Sequence, residues 1–463
     1  MNKNVLETLK MFENGGYEVA VVGGAVRDIL ARKQVGDWDL TTNATPEKIL
    51  KLFPTAFYNN RFGTVGIKVG GKVVEATTYR KEQKYSDSRH PDKVVWGNSL
   101  EEDLARRDFT INAIALKFVN GKSKIVNGET PSSLLTIDHS QFALIDPYGG
   151  QKDLGAKLIR TVGGADERFS EDALRLLRAI RFAAGLGFEL EEETKASIKK
   201  NANLISKISG ERIRDELFKI IKDENNAEGI LLAKETGLLA EILPELSICF
   251  EVEQKSPKRH HIFDVGTHCV MSMKYCPSKD TLVLFSTLLH DIGKAKVADV
   301  THEGVRTFYN HEVVGARLAN QISKRLHFSN SDHDKLFKLV RWHQFSVNEN
   351  QTDKAIRRFI RNVGLENVED MMDLRIGDRL GGGLQQPESW RLKLFRKRLK
   401  DVLTKPFTVA DLKVDGNDVM EILNIKPGLE VGEILQKLFK EVEEDSKKNE
   451  RQYLLGRIKE FKA

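Results

Sequence analysis

The feature that most limits the fold of this chain is a change in hydrophobic pattern about one third of the way along it. Up to about residue 150, short β-rich runs such as YEVAVVGG (17–24) and KVVEATTY (72–79) alternate with helical stretches. From about residue 166 onward strand signals almost vanish, and stretches of helical periodicity follow one another. The pattern predicts an α+β domain followed by an all-α remainder.

Histidine is concentrated in one part of the helical remainder. Nine of the eleven histidines fall between residues 257 and 380, and a glycine-rich break, GGGLQQP, follows them. A chain of 463 residues is long enough for two to four domains. We expect four segments, which cover residues 1–150, 151–255, 256–380 and 381–463.

Composition favours a soluble protein of the cytoplasm. The chain has no run of about 18 apolar residues, and its N-terminus reads as an amphipathic helix that leads into a strand. The three cysteines are odd in number and clustered, which fits a reducing compartment. A net charge of +6 suits a polyanionic partner without requiring one. No membrane partner is expected, and the oligomeric state stays open.

The first chemical feature is a glycine turn in VVGGAVRDIL. Gly23 and Gly24 stand where an apolar strand passes into a helix, and Arg27 lies on the first turn of that helix. Glycine lets backbone N–H groups approach a phosphate closely, and a helix N-terminus adds a positive partial charge. The turn predicts a phosphate site, although an ordinary strand-to-helix turn would have the same sequence.

Three acidic residues are expected near this turn. If GDWDLTTNA forms a strand, Asp37 and Asp39 point to the same face and can share divalent ions. Glu75 lies in a later β-rich run, where a carboxylate is out of place unless it serves a site. Several acids near a phosphate-binding turn are typical of two-metal phosphoryl transfer. The alternative is a solvated turn for GDWD and an edge position for Glu75.

A second charged cluster precedes an apolar run in EEDLARRDFTINAIAL. It contains Asp103, Arg106, Arg107 and Asp108. Arginine binds phosphate and base edges through paired hydrogen bonds, and a neighbouring acid can orient it or accept from a ribose hydroxyl. A charged helix surface before a core strand is the alternative interpretation.

The segment SEDALRLLRAIRFAAG, residues 170–185, predicts a helix with a narrow charged strip. The charges recur every three residues at Asp172, Arg175, Arg178 and Arg181, and the positions between them are apolar. A helix that is apolar over most of its circumference is buried, so the strip should face a ligand or a network of buried salt bridges. Asp172 and Arg175 are expected to hold each other at positions i and i+3.

Six motifs occur along the chain in a recognisable order: GGAVRD, DWD, RRDFTINA, DPYGGQKDL, IRTVG and EDALRLLRAIRF. In this order they resemble the motifs of class II tRNA nucleotidyltransferases, the CCA-adding enzymes, and of their poly(A) polymerase relatives. The resemblance runs from about residue 17 to 225 and returns in the tail. It implies a nucleotidyltransferase-type head followed by a helical neck and tail. The implied activity is template-independent addition of C, C and A to the 3′ end of tRNA from CTP and ATP.

The resemblance also implies roles for individual residues. Asp37 and Asp39 would hold Mg²⁺, with Gly24 and Arg27 at the nucleotide phosphates and Arg107 at the nucleotide. The choice of base would fall to the EDxxR motif, which offers an acceptor and donors that suit cytosine and adenine but not uracil or guanine. The remaining positions expected at the nucleotide are Asp108 near the ribose, Glu171, Asp172 and Arg175 at the base, and Arg178 and Arg181 at the triphosphate or bracing the helix.

YRKEQKYSDSRHPDKVVW, at residues 79–96, resembles the family's flexible loop. Members that add only C and C are generally shortened there, so the loop implies addition of the full CCA end.

The histidine-rich segment carries a second chemical pattern. The apolar stretch TLVLFSTLL ends in the adjacent pair His290-Asp291, and other histidines and an aspartate lie on separate predicted helices. Such residues can converge on a divalent ion in a helical bundle. The arrangement resembles the HD superfamily of metal-dependent phosphohydrolases, with Mg²⁺ or a divalent transition metal. The expected ligands are His268, His290, Asp291 and Asp378, with His311 and His343 for a second ion.

Three functions remain open at this point. The favoured one is a CCA-adding enzyme whose HD domain hydrolyses phosphate esters, including 2′,3′-cyclic phosphates, in repair of tRNA ends. The others are a poly(A) polymerase and an HD phosphohydrolase whose head only binds RNA or nucleotide. The basic stretches KAIRRFIRN and RLKLFRKRLK could follow tRNA phosphates, but solvated helix faces would explain them equally well.

Overall fold

The computed structural model describes residues 3–58, 63–83, 93–97, 99–119, 141–254, 263–302, 304–345, 352–384, 386–403 and 408–461. Residues 84–92 of the predicted flexible loop lie outside the described residues. The chain divides into two compact units. Unit 1 comprises residues 1–250 and 322–328, and unit 2 comprises residues 251–321 and 329–463.

Unit 1 opens with a mixed seven-stranded sheet. In spatial order its strands are β3 (Phe57–Tyr58), β4 (Thr64–Val69), β5 (Lys72–Thr78), β2 (Asp39–Thr42), β1 (Val19–Val22), β8 (Ala115–Phe118) and β9 (Phe142–Ile145). Two further ladders pair β6 (Arg80–Gln83) with β7 (Lys93–Trp96), and β10 (Leu158–Ile159) with β11 (Glu189–Leu190). Within the large sheet β2 and β5 run parallel, with Asp39 opposite Glu75.

Both faces of the central strand β1 are covered. Val19 and Val21 belong to one apolar cluster, whereas Ala20 and Val22 belong to another that includes Leu104. Successive side chains of a strand point to opposite faces, so this division places packing on both sides of the sheet. The helices of this region are α1 (Lys3–Asn14), α2 (Gly24–Leu30), α3 (Pro46–Leu52), α4 (Leu100–Ala105) and α5 (Gly150–Ala156).

The rest of unit 1 is helical apart from the short β10–β11 pair. Its helices are α6 (Ala165–Glu171), α7 (Leu174–Leu186), α8 (Glu192–Asn201), α9 (Gly210–Lys222), α10 (Asn226–Glu235), α11 (Leu238–Ile242) and α12 (Pro244–Ser247). α7 buries most of its residues, as the apolar pattern of residues 170–185 predicts.

From residue 265 onward the described residues are again mainly helical, and they include one short strand pair. Its elements are α13 (Val265–Tyr275), α14 (Thr281–Leu289), α15 (Lys294–Val297), β12 (Asp299–Val300), β13 (Arg306–Thr307), α16 (His311–Arg325), α17 (Asn330–Trp342), α18 (Asp353–Val363), α19 (Val368–Gly381), α20 (Trp390–Leu403), α21 (Gly416–Leu423), α22 (Leu429–Glu444) and α23 (Arg451–Glu460). The predicted α+β head followed by helical segments is therefore confirmed.

Unit 2 contains two separate packing regions near its C-terminal end. The rings of Phe345, Phe359 and Phe395 contact one another, so α20 packs on α18. The last three helices enclose a core of their own, centred on Val419, Leu438 and Leu454. α20 thus belongs with the preceding helices and not with the final three.

No helix in the described parts of the chain combines the length and the apolar character that a membrane crossing requires. The three cysteines are buried and carry no disulfide.

Candidate functional site

The glycine turn, one of the head acids and one of the arginines meet in unit 1. Gly23 has a φ of 69°, a conformation that glycine adopts without the steric penalty of other residues. A Cβ atom at Gly23 would lie 3.1 Å from Nη1 of Arg107 and 3.4 Å from Oδ2 of Asp39. The turn therefore brings a guanidinium and a carboxylate to the place where α2 begins.

The three head acids differ in their positions. β2 begins at Asp39, so Asp37 lies in the bend before the strand and is exposed, and only one of the two aspartates belongs to the strand expected for GDWD. Glu75 is exposed and lies opposite Asp39 on β5. Burial raises the pKa of Asp39, the charge of Arg107 opposes this increase, and the charge of Asp37 adds to it. A divalent ion would relieve the repulsion between the two aspartates, so the pair fits a cation site.

Arg27 is joined to the second charged cluster through a residue that sequence reasoning missed. Its Nε donates to Oδ1 of Asp28 at 2.9 Å, and its Nη1 donates to Oδ1 of Asn112 at 3.1 Å. Nδ2 of Asn112 in turn donates to Oδ1 of Asp108 at 3.2 Å. The available signal was a polar residue inside the apolar run TINAIAL.

Asp103 anchors the two arginines of the second cluster. Its carboxylate accepts from Arg106 at 2.7 and 2.9 Å and from Nη2 of Arg107 at 3.4 Å. Burial would raise the pKa of Asp103, but the two guanidinium groups outweigh it and lower the pKa. Arg107 is the less tightly held of the two, and its buried Nε has no hydrogen-bond partner among the described residues. This donor suits an anionic ligand.

Asp108, expected near a ribose, accepts hydrogen bonds from other groups of the protein. Its Oδ1 accepts from the N–H of Phe109 at 2.8 Å, and its Oδ2 accepts from Nε and Nη2 of Arg178 at 2.9 and 2.5 Å. Burial would raise the pKa of Asp108, but Arg178 and Asn112 outweigh it and lower the pKa to about 2. The ion pair joins the head to α7 and favours the bracing role for Arg178.

The helix expected over residues 170–185 is interrupted at Asp172. α6 ends at Glu171, Asp172 has extended backbone angles (φ −142°, ψ 103°), and α7 begins at Leu174. The Asp172 carboxylate accepts a hydrogen bond from the N–H of Leu174 at 3.1 Å, which stabilises a turn instead of a continuous helix. The segment therefore forms parts of two helices joined at Asp172 and Ala173, and the expectation of one continuous helix was wrong at these two residues.

Asp172 and Arg175 also do not hold each other. Oδ2 of Asp172 accepts from Nη2 of Arg212 at 3.0 Å. Arg175 donates from Nη1 to Oε2 of Glu171 at 2.6 Å and from Nη2 to the carbonyl oxygen of Arg106 at 3.0 Å. Because the turn at Asp172 ends the helix, the expected i, i+3 relation does not arise, and each residue has its own partner.

The last residue of the charged strip braces α7 as well. Nε of Arg181 lies 2.8 Å from Oε2 of Glu216, a buried residue of α9. The guanidinium groups of Arg27, Arg178 and Arg181 lie 5.6, 5.4 and 4.3 Å from the centre of the Phe182 ring. Sequence reasoning missed Phe182, although it is the aromatic residue directly after the strip in RAIRF.

The six expected HD ligands meet in unit 2. They form two groups, in each of which the possible ligand atoms lie within 4.8 Å of one another: His268, His290 and Asp378 in one, and Asp291, His311 and His343 in the other. Asp291 joins the groups, because its Oδ2 lies 3.3 Å from Nε2 of His290 and its Oδ1 lies 3.2 Å from Nε2 of His311. His290 and Asp291 directly follow α14, and the other four residues come from α13, α16, the end of α17 and α19.

Three of these histidines are oriented by the backbone. Nδ1 of His290, His311 and His343 lies 2.7, 2.8 and 2.7 Å from the carbonyl oxygen of the residue three positions earlier. A hydrogen bond at Nδ1 leaves Nε2 as the atom that faces the aspartates. This orientation is typical of histidines that bind metal ions, so the residues fit a divalent metal centre.

The electrostatics of this cluster favour bound cations. Burial opposes a positive charge on His290, but Asp291 and Asp378 outweigh it and raise its pKa to about 10. Burial likewise opposes the charge of Asp291, but Lys294 and His290 hold its pKa well below the usual range. Sequence reasoning left out Lys294, although it stands in the HDIGK motif, and its Nζ lies 2.5 Å from Oδ2 of Asp291.

The fold and the two sites define a class of protein: a nucleotidyltransferase head followed by a helical region and an HD-type domain. Family profiles match the chain in the same order. The "Poly A polymerase head domain" matches residues 19–160, the "Probable RNA and SrmB- binding site of polymerase A" matches residues 187–249, and the "HD domain" matches residues 259–380. The chain belongs to the poly(A) polymerase and tRNA nucleotidyltransferase family and carries an HD domain.

The chain is similar to a CCA-adding enzyme of Geobacillus kaustophilus, with 42% identity over 246 residues. This match covers 53% of the present chain and 55% of the relative, so it spans about half the length of the curated protein.

Solved structures resemble the chain over its whole length. The crystal structure of a Bacillus stearothermophilus CCA-adding enzyme in complex with CTP has a TM-score of 0.68 and 26% identity, covering 100% of this chain and 98% of that one. A Thermotoga maritima CCA-adding enzyme complexed with tRNA has a TM-score of 0.55 and 20% identity, covering 99% and 95%. The latter likeness concerns the fold alone.

Proposed function

We propose that this protein adds C, C and A to the 3′ end of tRNA without a template, using CTP and ATP and releasing pyrophosphate. The observation that carries the proposal is the meeting of Gly23, Asp39 and Arg107, because a phosphate-binding turn, a metal-binding acid and an anion-binding guanidinium share one place. The similar proteins support it, since they are CCA-adding enzymes and one of them was solved with CTP.

The head residues divide the work of nucleotidyl transfer. Asp37 and Asp39 would hold Mg²⁺, with Glu75 beside Asp39 on the neighbouring strand. Bound Mg²⁺ lowers the pKa of an attacking hydroxyl and neutralises charge on the triphosphate. Arg27 and Arg107 donate to the phosphates. The 3′ hydroxyl of the RNA loses its proton to water, and its oxygen bonds to the α-phosphorus. The bond from that phosphorus to the oxygen between the α- and β-phosphorus atoms breaks, so that pyrophosphate leaves.

The base is chosen by side chains that the protein has already fixed. Arg212 holds one oxygen of Asp172, and Glu171 holds one end of Arg175. A carboxylate has about four acceptor positions and a guanidinium five donors, so each group keeps capacity for a ligand. Fixed partners reduce the freedom of both side chains before a nucleotide binds, which is what selection by protein groups requires.

A single experiment tests this function. The enzyme is given tRNA that lacks its CCA end, with CTP, ATP or both, and the products are sequenced. Addition of CCA is the expected result. Runs of A from ATP alone would identify a poly(A) polymerase, addition of C and C without A would identify a partial enzyme, and no addition would leave a head that only binds.

The six-ligand cluster favours a second activity, the hydrolysis of phosphate esters. In a 2′,3′-cyclic phosphate, water would add to phosphorus and one P–O bond to the ribose would open, leaving a monoester. Changing His290 and Asp291 to Ala should remove hydrolysis and leave nucleotide addition intact. Hydrolysis that survives this change would reject the assignment.

Contact with tRNA phosphates falls to a subset of the basic residues in α20. Arg396 pairs with Glu369 and Glu388, and Arg398 pairs with Asp353, so these two arginines brace unit 2. The exposed lysines of this helix, Lys393, Lys397 and Lys400, suit a polyanionic partner better.

A further inference from the structure

The face of the large sheet that carries Asp39 is only partly covered. Asp39 is paired with Val22, which belongs to an apolar cluster that includes Leu104 and packs over β1 and β8. Among the described residues, this cluster and the side chains packed on it include none from β3, β4 or β5. Glu75 and Val73 of β5 are exposed. The face on the β5 side of Asp39 is therefore accessible to a ligand.

A row of paired residues leads across the strands from Asp39 to the edge of the sheet. Asp39 is paired with Glu75 on β5. Glu75 is paired with Gly66 on β4, and Gly66 is paired with Phe57 on β3. Paired residues of neighbouring strands have their side chains on the same face, so Phe57 shares the face of Asp39. Neighbouring strands lie about 4.8 Å apart, which places Gly66 roughly 10 Å from Asp39.

The ring of Phe57 lies above Gly66. A Cβ atom at Gly66 would lie 2.5 Å from Cζ and 2.9 Å from both Cε atoms of the ring, so the ring occupies space that only a glycine leaves. The ring is nevertheless 38% exposed. Nζ of Lys68, an exposed residue of the same face, lies 5.7 Å from the centre of the ring. An aromatic surface and a cation thus stand together beyond Glu75.

The geometry of nucleotidyl transfer sets the side from which the RNA approaches. In the proposed function the phosphates of the nucleotide lie at Gly23 and Arg107, where β1 passes into α2. The attacking and leaving oxygens of phosphoryl transfer lie roughly in line, on opposite sides of the phosphorus. β1 and β5 flank β2 on opposite sides. The 3′ oxygen of the RNA therefore reaches Asp39 from the side of β5, where Phe57 lies.

We propose that Phe57 is a positioning residue for the RNA strand: one of the last three bases stacks on its ring, and Lys68 binds a phosphate of the same strand. The proposal rests on the proposed nucleotide addition and assigns a place to its RNA substrate. Stacked nucleotides rise about 3.4 Å each, so roughly 10 Å between Asp39 and Gly66 corresponds to about three of them. Aromatic stacking accepts any base, which suits a strand whose last base changes as C, C and A are added.

The first test measures equilibrium binding of a short RNA hairpin whose unpaired 3′ end resembles that of tRNA without its final A. Phe57→Ala is expected to weaken binding about tenfold, because the stacked base loses its partner. The base is then removed from one of the last three nucleotides at a time. For one position the wild type should show the same loss, whereas Phe57→Ala should lose little more. Losses that add to that of Phe57→Ala at all three positions would overturn the proposal.

Two variants separate stacking from packing. Tyr58→Ala is the matched control, because Tyr58 is 47% exposed but is paired with Val65, which belongs to the core on the other face of the sheet. It should leave RNA binding unchanged. Phe57→Leu keeps an apolar contact with Gly66 but has no π-face, so it should bind RNA as weakly as Phe57→Ala. Binding as tight as that of the wild type in Phe57→Leu would show that the ring only packs, and the proposal would fail.

The phosphate contact is tested through the salt dependence of the same binding. Lys68→Ala should reduce the slope of log K against log salt concentration by about one, since one fewer counterion is released. Lys72→Ala is the control, because Lys72 is exposed and alternation along β5 places it on the other face. Equal slopes in the two variants would remove Lys68 from the proposal.

Nucleotide addition gives an independent measure. Phe57→Ala should raise KM for the RNA hairpin about tenfold and leave KM for CTP unchanged, because the phosphates of CTP lie on the other side of Asp39. An equal rise in both KM values would indicate a general disturbance of the head and would contradict a positioning role. If the wild-type chain adds no nucleotide, the proposed function fails, and the binding of the hairpins that lack one base still decides whether Phe57 stacks on RNA.

Discussion

The two sites of this protein differ in how completely the folded chain builds them. In unit 2, the six expected ligands converge in two groups, and all of them except Asp378 are almost fully buried. In unit 1, Asp37 and Glu75 are exposed and Asp39 is partly buried. Among the described residues, only unit 2 brings three or more metal-binding side chains within 4.8 Å of one another.

This difference predicts two modes of metal binding. A buried cluster of histidines and aspartates can supply most of the coordination of an ion by itself. A pair of carboxylates needs further oxygen ligands, which substrate phosphates and water provide in sites of this kind. We therefore expect ions to remain in unit 2 without substrate and to enter unit 1 together with the nucleotide.

The largest effect is expected from removing the head acids. Asp37→Ala with Asp39→Ala should reduce nucleotide addition by more than about 100-fold, because charge that develops on the phosphates would no longer be stabilised. Primer extension on tRNA that lacks its CCA end measures the loss, and Asp215→Ala, an exposed acid elsewhere in unit 1, is the control. Hydrolysis by unit 2 should be unaffected. A parallel loss of both activities would show that the two sites do not act independently.

The next effect concerns the stability that ions give to unit 2. Removing divalent ions with a chelator should lower the melting temperature of unit 2 by roughly 5 °C or more, because an ion present at about 100 times its Kd stabilises by about 2.7 kcal/mol. The head variant Asp37→Ala with Asp39→Ala should show the same shift, whereas His290→Ala with Asp291→Ala should show none. If the chelator lowers the melting temperature of the wild type but not that of Asp37→Ala with Asp39→Ala, the stabilising ions bind in unit 1 and not in unit 2.

A smaller effect tests whether the carboxylate of Asp108 stabilises the folded head. Asp108→Asn should lower the free energy of unfolding of unit 1 by about 2 kcal/mol at pH 7, since the pKa of Asp108 falls from 3.8 to about 2. The folded-state pKa is the lower one, so this stabilisation is complete above about pH 4 and is lost as the pH falls through 2. Urea unfolding of wild type and variant at pH 7 and near pH 2.5 measures it.

The matched control for Asp108 is another acid with a low pKa. Hydrogen bonds from Lys200, Ser197 and Asn201 lower the pKa of Asp166 to about 2, but this carboxylate is exposed. Asp166→Asn should therefore have the smaller effect, because solvent screens an exposed pair. Equal effects of the two substitutions would mean that burial of the Asp108–Arg178 pair does not matter.

The smallest effect is on the choice of nucleotide. Asp172→Ala and Arg175→Ala should each reduce the preference for CTP over UTP roughly tenfold, as measured by competing incorporation. Because the two residues have separate partners, their effects should add within about 0.5 kcal/mol in the double variant. Strong coupling between the two substitutions would indicate the direct Asp172–Arg175 pair expected from the sequence. An equal loss of incorporation for all nucleotides would indicate that both residues have a structural role.

Much of the architecture could be predicted from the pattern of residues. The change from alternating strands to helices gave the α+β head and the helical remainder, because hydrophobic period reports secondary structure directly. The candidate HD ligands stand in or beside amphipathic or apolar helices, and helices of a bundle bring such positions together. The selection of six residues among them, like the roles of the head residues, depended on a resemblance to a known family.

The features that the sequence pattern did not predict depend on contacts between side chains and segments, which hydrophobic periodicity does not indicate. The break at Asp172 results from one hydrogen bond between a side chain and the backbone, and the helical pattern continues on both sides of it. The Asp108–Arg178 pair joins residues 70 positions apart. Trp390 lies beyond the glycine-rich break at which the predicted histidine-rich segment ends, yet it lines the same cavity as His343. Each of these features arises when distant segments pack.

The position of Asp291 has a consequence for how unit 2 fills with ions. Each oxygen of its carboxylate faces a different group of histidines, so the carboxylate cannot rotate toward one group without leaving the other. The first ion to bind would fix this orientation for the second, while its charge would make the second bind more weakly. The two positions would therefore fill at different metal concentrations, and the proportion of fully loaded molecules would follow the supply of metal in their surroundings.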